Sequence, residues 1–315
     1  MIRNLVYRRR SEIDDDRWNE WVEQYADGLP YAYTWYLDIV CQGNWSALVS
    51  TDGAYFMPLP RNRKLFGIQQ IYQPPLSQQL GVIGPQVDTA LLWQFWKAIP
   101  TSFRLIQFSV ALPPMPLATK QEWPGRQRTN LILPLDRPYT ELQANYNKSL
   151  RKRLKKAGNH YQIQEAQDLG FLIRYYQEHI GQKAGLSTKD YQILERLFDQ
   201  MMKRKMACIY QVQNAEAEVD ATGIFLITNQ RIINVFGASN AAGRQHYAMH
   251  FLLDQVIQIH AAQDLLFDFE GSELPGVATF FQSFGAQAEP YFEFYQDRLP
   301  WMVKQMKAFK RLIKS

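Results

Sequence analysis

Leu265-Leu266-Phe267-Asp268-Phe269-Glu270-Gly271-Ser272 is the stretch that decides the fold of the second half of the chain. An apolar start followed by strict alternation of aromatic and acidic residues predicts a β-strand that stops at Gly271. Because neighbouring side chains on a strand point to opposite faces, Asp268 and Glu270 are expected side by side, opposite the two phenylalanines. Downstream apolar residues at helical spacing, closed by Gly285, predict a short helix that packs back on this strand.

The bulk composition is that of a globular protein with room for two domains. The chain has 315 residues, of which 46% are hydrophobic and 21% charged, and its net charge is +5. At this length two hydrophobic cores are expected. No apolar run is long enough for a signal peptide or a membrane span, so a cytoplasmic location is expected. Cys41 and Cys208 lack the spacing of a metal or redox motif and are interpreted as buried small residues.

The two halves of the chain share one order of predicted elements. Each half has a hairpin, a strand, a helix and a further strand, and the first hairpin carries the turn signal Asp52-Gly53. A repeated mixed α/β unit explains this order, with a sheet that is antiparallel at first and ends in a parallel pair. The predicted elements are hairpins at 45–59 and 207–228, strands at 68–72, 103–110, 129–133, 231–236 and 265–270, a helix at 89–98 and a long helix after residue 240.

A strongly basic helix is predicted between the halves, from Tyr139 to Ala157. Apolar residues four apart, among them Tyr146, form its buried stripe, and Gly158 is expected to end it. No acidic residue lies between Glu141 and Glu165, so the local electrostatic field is positive. The cations of this helix are Lys148, Arg151, Lys152, Arg153, Lys155 and Lys156.

Two interpretations of the basic helix stay open. Lys148 and Arg151, from the turn shared with Tyr146, are expected to face inward and to bind phosphates of a nucleotide-linked precursor or of tRNA. Alternatively, these cations form an ordinary solvated surface. A second basic amphipathic helix is predicted at 300–314, where it either rests on an anionic membrane or packs on its own domain.

Several motifs, taken together, resemble one known family. They are the hairpin that ends at Pro60, Gln78-Gln79-Leu80-Gly81, the basic helix, Phe236-Gly237-Ala238-Ser239, and the opening stretch with Phe284-Gly285-Ala286. In order and spacing they resemble the Fem-type aminoacyltransferases, the methicillin-resistance factor family, and relatives with duplicated GNAT-like acyltransferase domains. The resemblance implies a mixed α/β (α+β) fold of two tandem GNAT-like domains, at 1–134 and 135–315, each a mixed sheet flanked by helices.

The resemblance also implies a reaction. Fem-type proteins transfer an aminoacyl or acyl group to an amine, such as that of a peptidoglycan precursor of the cell wall. No permanently bound cofactor is implied, because the acyl donor, aminoacyl-tRNA or acyl-CoA, is itself a substrate. Two alternatives stay open: an acyl-CoA-dependent GNAT N-acyltransferase acting on a small amine, and a non-catalytic binding protein on the same fold.

The segment from Gly237 to Arg244 corresponds to the place where GNAT enzymes bind the coenzyme A pyrophosphate on backbone N–H groups. Ser239, Asn240 and Arg244 are therefore candidate substrate-binding residues. The segment only loosely approaches the GNAT signature, however, and a plain loop before a helix is the alternative.

His246 and His250 lie four residues apart on the following helix, a spacing that invites a zinc interpretation. Tyr247 stands where a His-Glu-x-x-His motif has its glutamate, and no third ligand is evident, so no metal site is predicted. His246 and Tyr247, at the start of the helix, are instead expected either to contact the substrate or to have a structural role.

Ester aminolysis needs a group that takes a proton from the attacking amine. Asp268 and Glu270 are the candidate catalytic pair, because two neighbouring carboxylates raise the pKa of one of them towards useful basicity. The alternative is structural, since carboxylates at the end of a strand often cap the next helix or pair with an arginine.

Overall fold

Asp14 fixes the start of the first helix, because its side chain accepts a hydrogen bond from the backbone N–H of Arg17 at 3.2 Å. Strand β1 (Leu5–Arg9) precedes this helix, α1 (Asp15–Tyr25), which buries Trp18.

A computed structural model describes residues 4–63, 67–111, 123–181, 185–271 and 274–299 of the chain. These residues divide into two compact units.

The first unit holds the elements of the first half of the chain. Strands β1 to β4 pair antiparallel in sequence order, and β4 pairs parallel to β5. The predicted hairpin is confirmed, and Gly53 in its turn has a φ of 68°, which glycine adopts at low cost. After α1 come α2 (Thr34–Val40), β2 (Trp45–Ser50), β3 (Phe56–Arg63), β4 (Gln69–Tyr72), α3 (Thr89–Ala98) and β5 (Leu105–Ala111).

The second unit holds a sheet with helices on it. It begins within β6 (Gly125–Pro134) and ends within β12 (Gln287–Asp297). Between these strands lie α4 (Tyr139–Ala144), α5 (Lys148–Ala157), β7 (Gln162–Ala166), α6 (Leu169–His179), α7 (Thr188–Lys203), β8 (Ala207–Gln213), β9 (Val219–Ile227), β10 (Arg231–Ser239), α8 (Ala241–Gln245), α9 (Ala248–Ile259), β11 (Leu266–Asp268) and α10 (Pro275–Gln282). The strand order of its sheet is β6-β11-β10-β9-β8-β7.

Each unit contains one parallel pair of strands, as the repeated pattern predicts. In the first unit Gln70 of β4 lies opposite Leu105 of β5, and in the second Ile232 of β10 lies opposite Phe267 of β11. In both units a helix crosses from the first strand of the pair to the second, and the preceding strands are antiparallel. The predicted mixed α/β fold with a repeated unit is thereby confirmed.

The chain passes between the units at four points, which differs from a single boundary after residue 134. Residues 27–30 and 129–289 form the second unit, and the other described residues form the first. Strand β12 explains the last crossing, because Tyr291 lies opposite Ala111 and Asp297 opposite Leu105 of β5. The sequence analysis places the final strand at 265–270 and predicts no strand at 287–297. The sequence analysis therefore missed β12, because this strand depends on pairing with a segment that is distant in sequence.

The basic helix predicted from 139 to 157 is two helices. Helix α4 ends at Ala144, and α5 begins after Asn147, whose side chain accepts a hydrogen bond from the Leu150 N–H at 2.7 Å. The Asn147 N–H donates to the carbonyl of Ser283 at 3.0 Å. A tertiary contact and a local cap therefore interrupt what the apolar spacing predicts as one helix, whereas Gly158 ends α5 as expected.

Three further expectations concern the burial of the two cysteines, the end of strand β10 and the helix at 300–314. Cys41 is buried, but Cys208 is only partly buried, because it alternates with the buried residues Ala207 and Ile209 on β8. Strand β10 extends to Ser239, three residues beyond the predicted strand and into the predicted loop. The predicted helix at 300–314 lies outside the described residues.

Phe267 and Phe269 of the opening stretch both enter the core of the second unit. Their rings meet edge to face at 4.7 Å, and they are 0% and 1% exposed. Helix α10 packs on them through Phe281, whose ring lies 4.9 Å from that of Phe269. Gly285 after the helix has a φ of 79°. The predicted association of this strand with the following helix is therefore confirmed.

Replacement of Gly271 by alanine is expected to lower the free energy of unfolding by about 2 kcal/mol. Gly271 has a φ of 52°, and a Cβ there would lie 2.6 Å from the carbonyl oxygen of Thr129. Gly276→Ala is the matched control, because it stands in helix α10 with no atom within 4 Å of the added carbon. The control is expected to be neutral or slightly stabilising in urea denaturation. Equal stability of the two variants would contradict this account.

Candidate functional site

Asp268 lies in the interior of the second unit as part of a buried ion-pair network. Its carboxylate accepts hydrogen bonds from Arg231 Nη1 and from Asn130 Nδ2, both at 3.0 Å, and from the Glu270 N–H at 2.8 Å. Asp268 is 0% exposed and Arg231 is 4% exposed. Arg231 also donates to both carboxylate oxygens of Glu289, at 2.8 and 3.0 Å. The guanidinium therefore joins two carboxylates that are far apart in sequence.

The network also fastens the segment from residue 27 to residue 30. Arg231 Nε donates to the carbonyl of Asp27 at 2.7 Å. The next residue, Gly28, has a φ of 73°, and a Cβ there would lie 2.8 Å from the Cβ of Gln230. Only glycine fits this close approach of two chain segments. The chain passes between the units at four points, and the network includes residues close to three of them, namely Asp27, Asn130 and Glu289.

The pKa values in the network follow from burial and from the charge of Arg231. Burial raises the pKa of Asp268, and the positive charge of Arg231 opposes that shift. Burial likewise opposes ionisation of Glu289, but the hydrogen bond and charge of Arg231 outweigh it and lower the pKa of Glu289. Asp268 has no exposed surface with which to touch a substrate. Its placement favours the structural interpretation, in which this carboxylate pairs with an arginine.

Beyond Asp268 the two parallel strands of the second unit diverge. Arg231 to Ile233 of β10 pair with Leu266 to Asp268 of β11, where β11 ends. Strand β10 bulges between Asn234 and Phe236 and continues to Ser239. Among the described residues, no strand pairs with β10 beyond Ile233 on the β11 side. Residues 234–239 therefore have no strand partner on that side in the described part of the chain, and we call this place the β10 opening.

The corresponding place in the first unit is filled by the chain itself. Strand β5 continues beyond β4, but its backbone finds partners there. The Leu80 N–H donates to the Ser109 carbonyl at 2.7 Å, and the Ala111 N–H donates to the Leu80 carbonyl at 3.0 Å. The Ser109 N–H donates to the side-chain oxygen of Gln73 at 2.7 Å. This occupied edge contrasts with the β10 opening, which makes the second unit the better place for a substrate.

Glu270 stands at the point where β10 and β11 diverge. It is half-buried and has a φ of 56°, so it turns out of the strand direction instead of continuing it. The expected side-by-side alignment of Asp268 and Glu270 is therefore wrong, since it requires the strand to run through both residues. A left-handed backbone is costly for a residue with a side chain, and here the hydrogen bond from Glu270 N–H to Asp268 holds it.

Four side chains from three helical segments meet at His250. Arg153 of α5 donates from Nη1 to His250 Nε2 at 3.1 Å, and its guanidinium lies 5.5 Å from the ring of Tyr247. The His250 ring meets Tyr247 edge-on at 5.4 Å and Phe280 of α10 at 4.6 Å. Met249, next in the chain, approaches Gly237 of β10, where an added Cβ would lie 3.4 Å from its Cε. We call Arg153, Tyr247, His250 and Phe280 the His250 cluster.

His250 is neutral at physiological pH. Burial, followed by the charge of Arg153, lowers the pKa of His250 to about 4. Since arginine can only donate, His250 Nε2 must accept, which agrees with an unprotonated ring nitrogen. The sequence pattern singled out His250 only as a possible metal ligand and left Arg153 among six similar cations. Arg153 follows the buried residue Leu150 by three positions and directly precedes the buried residue Leu154. This spacing could have distinguished it from the other five cations.

The structure corrects the expected orientation of the basic helix. Lys148 and Arg151 do not face inward: both are exposed, and Arg151 donates to the carbonyl of Ala144 at 3.3 Å. The break at Asn147 rotates α5 away from the direction that a continuous helix would give. Lys152, Lys155 and Lys156 are exposed as well. Five cations therefore stand in solvent on α5, and Arg153 alone turns towards α9.

Tyr146 is not a surface residue either. It is 2% exposed, and its ring meets that of Phe284 at 5.4 Å. Its hydroxyl lies near the buried carboxylate of Asp254, which accepts hydrogen bonds from Tyr139 at 2.9 and 3.0 Å. Burial and the nearby charge of Asp254 raise the pKa of Tyr146. Tyr146 therefore belongs to the hydrophobic core beneath α4 and α5 and has almost no exposed surface with which to contact a substrate.

The candidate residues after β10 mainly build the strand-to-helix turn. Asn240 caps α8, accepting from the Gly243 N–H at 2.6 Å, and donates to Asp220 at 2.8 Å. Arg244 donates to the carbonyl of Ser239 at 2.5 Å. Ser239 is buried, whereas Arg244 is exposed. The turn is thus closed by its own side chains.

His246 is exposed and lies beside a residue that the sequence did not single out. Its ring centroid is 5.1 Å from that of His160, which follows α5. Tyr247 has a φ of 67° and precedes α9, so it belongs to the His250 cluster. In the described part of the chain no three histidine, cysteine or acidic residues are placed to hold a metal ion. The same residues include no helix long and apolar enough to span a bilayer.

Comparison with known proteins identifies the fold. No protein-family model matches the sequence, and no curated protein resembles it significantly. Among solved structures, FemX is 13% identical with a TM-score of 0.66, over 94% of this chain and 98% of FemX. L-PGS from Bacillus licheniformis is 15% identical with a TM-score of 0.55, over 96% and 97% of the two chains. A tandem GNAT protein from the clavulanic acid biosynthesis pathway is 14% identical with a TM-score of 0.50, over 94% and 99%. At such identities the likeness establishes a tandem GNAT-like fold.

Acidification is expected to destabilise the protein through His250. Its pKa is about 4 in the folded state and about 6.5 when unfolded, so the unfolded chain binds more protons between these values. Lowering the pH from 7 to 5 should therefore remove about 2 kcal/mol of stability through this residue. His250→Asn should lose this part of the pH dependence in urea titrations, whereas the exposed-histidine control His160→Asn should keep it. A wild-type slope in His250→Asn would refute the assignment.

Proposed function

We propose that this chain is a Fem-type N-acyltransferase that transfers an aminoacyl group from tRNA to an amine, such as that of a peptidoglycan precursor. The observation that carries the proposal is the β10 opening, bordered by unpaired strand backbone and by Glu270. The tandem GNAT-like fold shared with FemX and L-PGS supports it. The acceptor class rests on the family resemblance of the sequence motifs.

The β10 opening suits a substrate that contains amide groups. Strand backbone without a partner offers N–H donors and carbonyl acceptors at regular spacing. An extended peptide or amide-containing chain can add to such an edge with main-chain hydrogen bonds. Peptidoglycan precursors carry a peptide, so their chemistry matches this edge. The His250 cluster, with a cation and three aromatic rings, stands on the helix that packs beside Gly237 of the same strand.

Glu270 is the residue we propose for proton transfer. In aminolysis the amine nitrogen bonds to the carbonyl carbon of the aminoacyl ester, and the bond to the tRNA ribose oxygen breaks. The nitrogen loses one proton, and the departing oxygen gains one. A half-buried carboxylate at the mouth of the opening can accept the first proton and return it to the leaving oxygen. Asp268, held by Arg231, positions Glu270 through the hydrogen bond to its backbone.

Electrostatics favour tRNA over coenzyme A as the acyl carrier. In the second unit the turn after β10 is capped by Asn240, which uses the N–H of Gly243. In the first unit Asp88 caps α3 by accepting from the Leu91 N–H at 2.7 Å, and its negative charge repels a pyrophosphate. At each of these helix starts one N–H group that could bind the diphosphate of coenzyme A is thus already engaged. The five exposed cations of α5 instead suit a polyanion with many phosphates.

Removing two of these cations is expected to weaken tRNA binding in a salt-dependent way. Lys152→Ala with Lys155→Ala should reduce the slope of log K against log salt by about 1 for each phosphate that no longer has a lysine partner. The control combines Lys189→Ala and Lys203→Ala, two exposed lysines of α7, and should leave the slope unchanged. Filter binding of total tRNA between low and moderate salt measures both, with coenzyme A as competitor. Binding of coenzyme A with no affinity for tRNA would favour the acyl-CoA-dependent alternative.

Glu270→Gln and Asp268→Asn are expected to fail in different ways. Glu270→Gln should keep the melting temperature but lower by about 10²-fold or more the transfer of label from aminoacyl-tRNA to a UDP-linked sugar peptide. Asp268→Asn should lose about 3 kcal/mol of stability, because it disrupts a buried ion pair. Asp264→Asn, an exposed carboxylate just before β11, serves as the control for both measurements. Full turnover in Glu270→Gln would remove this residue from the mechanism.

A further inference from the structure

The first unit contains a cavity of about 160 Å³ that the proposed acyl transfer does not use. It lies against β1, β2 and the start of α1, and Gly53 of the first hairpin forms part of its rim. Two arginines and two carboxylates line it, together with an apolar wall. Whether it can bind a ligand depends on which of these charges already have partners.

Both carboxylates of the cavity are engaged by the protein. Glu12 accepts from the backbone N–H of Arg9 at 2.7 Å and pairs with Arg8 at 3.5 Å. Asp14 accepts from the Arg17 N–H as the cap of α1. The guanidinium of Arg17, by contrast, has no acidic partner among the described residues. Of the two guanidinium groups in the cavity, that of Arg17 is therefore the one without a carboxylate partner, while Asp14 keeps its own negative charge.

The Arg17 guanidinium is held in place before any ligand arrives. It lies over the Trp21 ring at 4.6 Å, and Trp21 in turn stacks on Phe56 at 5.5 Å. Gly53 is also close, since a Cβ added there would lie 2.8 Å from Arg17 Nη2. Stacking leaves the N–H groups at the edge of a guanidinium able to donate to a carboxylate. Little side-chain entropy is then lost when an anion binds.

The rest of the cavity wall is apolar. Ile13, Trp18 and Val49 line it, and the Trp18 N–H is already committed to the carbonyl of Ala32 at 2.7 Å. A ligand body placed here meets hydrocarbon and aromatic surface with no unpaired polar atom from Trp18. An inorganic anion gains nothing from such a wall, whereas an organic one buries apolar surface on it.

We propose that this cavity binds a small organic carboxylate, with the carboxylate on Arg17 and an apolar body against Ile13, Trp18 and Val49. Arg8 also lines the cavity, where it pairs with Glu12. The cavity takes either a free aromatic or aliphatic acid or the carboxyl end of a peptide, because both present the same chemistry. Its occupation requires no step of the acyl transfer proposed for the second unit.

Calorimetric titration of the full chain tests this with three probes. Benzoate stands for a free acid, N-acetylvaline for a peptide end, and benzyl alcohol for a neutral body of the same shape as benzoate. At least one of the two carboxylates should bind in the millimolar range or tighter, and benzyl alcohol should bind at least tenfold more weakly than benzoate. Which of the two binds more tightly distinguishes the sources.

Arg17→Met keeps the alkyl stem but removes the charge, and should weaken carboxylate binding at least tenfold. Arg196→Met, an exposed arginine of α7, is the matched control and should bind as the wild type does. Absence of carboxylate binding to the wild type overturns the proposal, as does benzyl alcohol binding equal to benzoate. Equal affinity of Arg17→Met and Arg196→Met overturns it too. The comparison of probes on the wild type does not depend on the folding of any variant.

Discussion

The buried ion pair between Arg231 and Asp268 is the interaction on which the second unit depends. Burying a charge costs free energy unless the charge is paired and hydrogen-bonded. Here Asp268 accepts three hydrogen bonds, and Arg231 donates to two carboxylates and to a backbone carbonyl. The segments that meet at this pair come from residues 27, 130 and 289. The main effect of the pair is therefore to fix which distant segments of the chain meet. Its net contribution to the free energy of folding is the smaller effect.

The same pair sets where the β10 opening begins. Asp268 is the last residue of β11 and receives the N–H of the next turn, so β11 stops there, while β10 continues for six residues. The bulge in β10 at the same level increases the divergence of the two strands. A structural carboxylate and a strand that ends early thus create unpaired backbone beside Glu270. The two acidic residues therefore lie in different environments, since Asp268 is buried in the ion pair and Glu270 is half-buried beyond the end of β11.

The two units differ at the edge beyond their parallel pair of strands. In the first unit Leu80 and Gln73 occupy the backbone of β5, whereas in the second the equivalent divergence is left open among the described residues. Helix starts in both units carry their own caps, a carboxylate in one and an amide in the other. Each cap engages one N–H group at its helix start. Five exposed cations stand on α5 of the second unit.

The sequence by itself determined the local elements and their repetition. The Asp-Gly turn and the final Gly285 depend on neighbours along the chain, and each predicted its element correctly. Alternation of aromatic and acidic residues predicted the strand at 265–270, of which β11 covers Leu266–Asp268. The sequence also identified Glu270 as a carboxylate of interest, because a charged residue in an aromatic strand is conspicuous wherever the strand lies.

Tertiary structure alone decided the rest. Strand β12 exists because β5 is available to pair with it, and the basic helix breaks because Ser283 accepts the N–H of Asn147. Whether Asp268 meets a substrate or Arg231, and which of six similar cations turns towards His250, depends on residues that approach only after folding. Such pairings leave no periodic pattern in a single sequence, since the partners are fixed by distance in space and not by spacing along the chain.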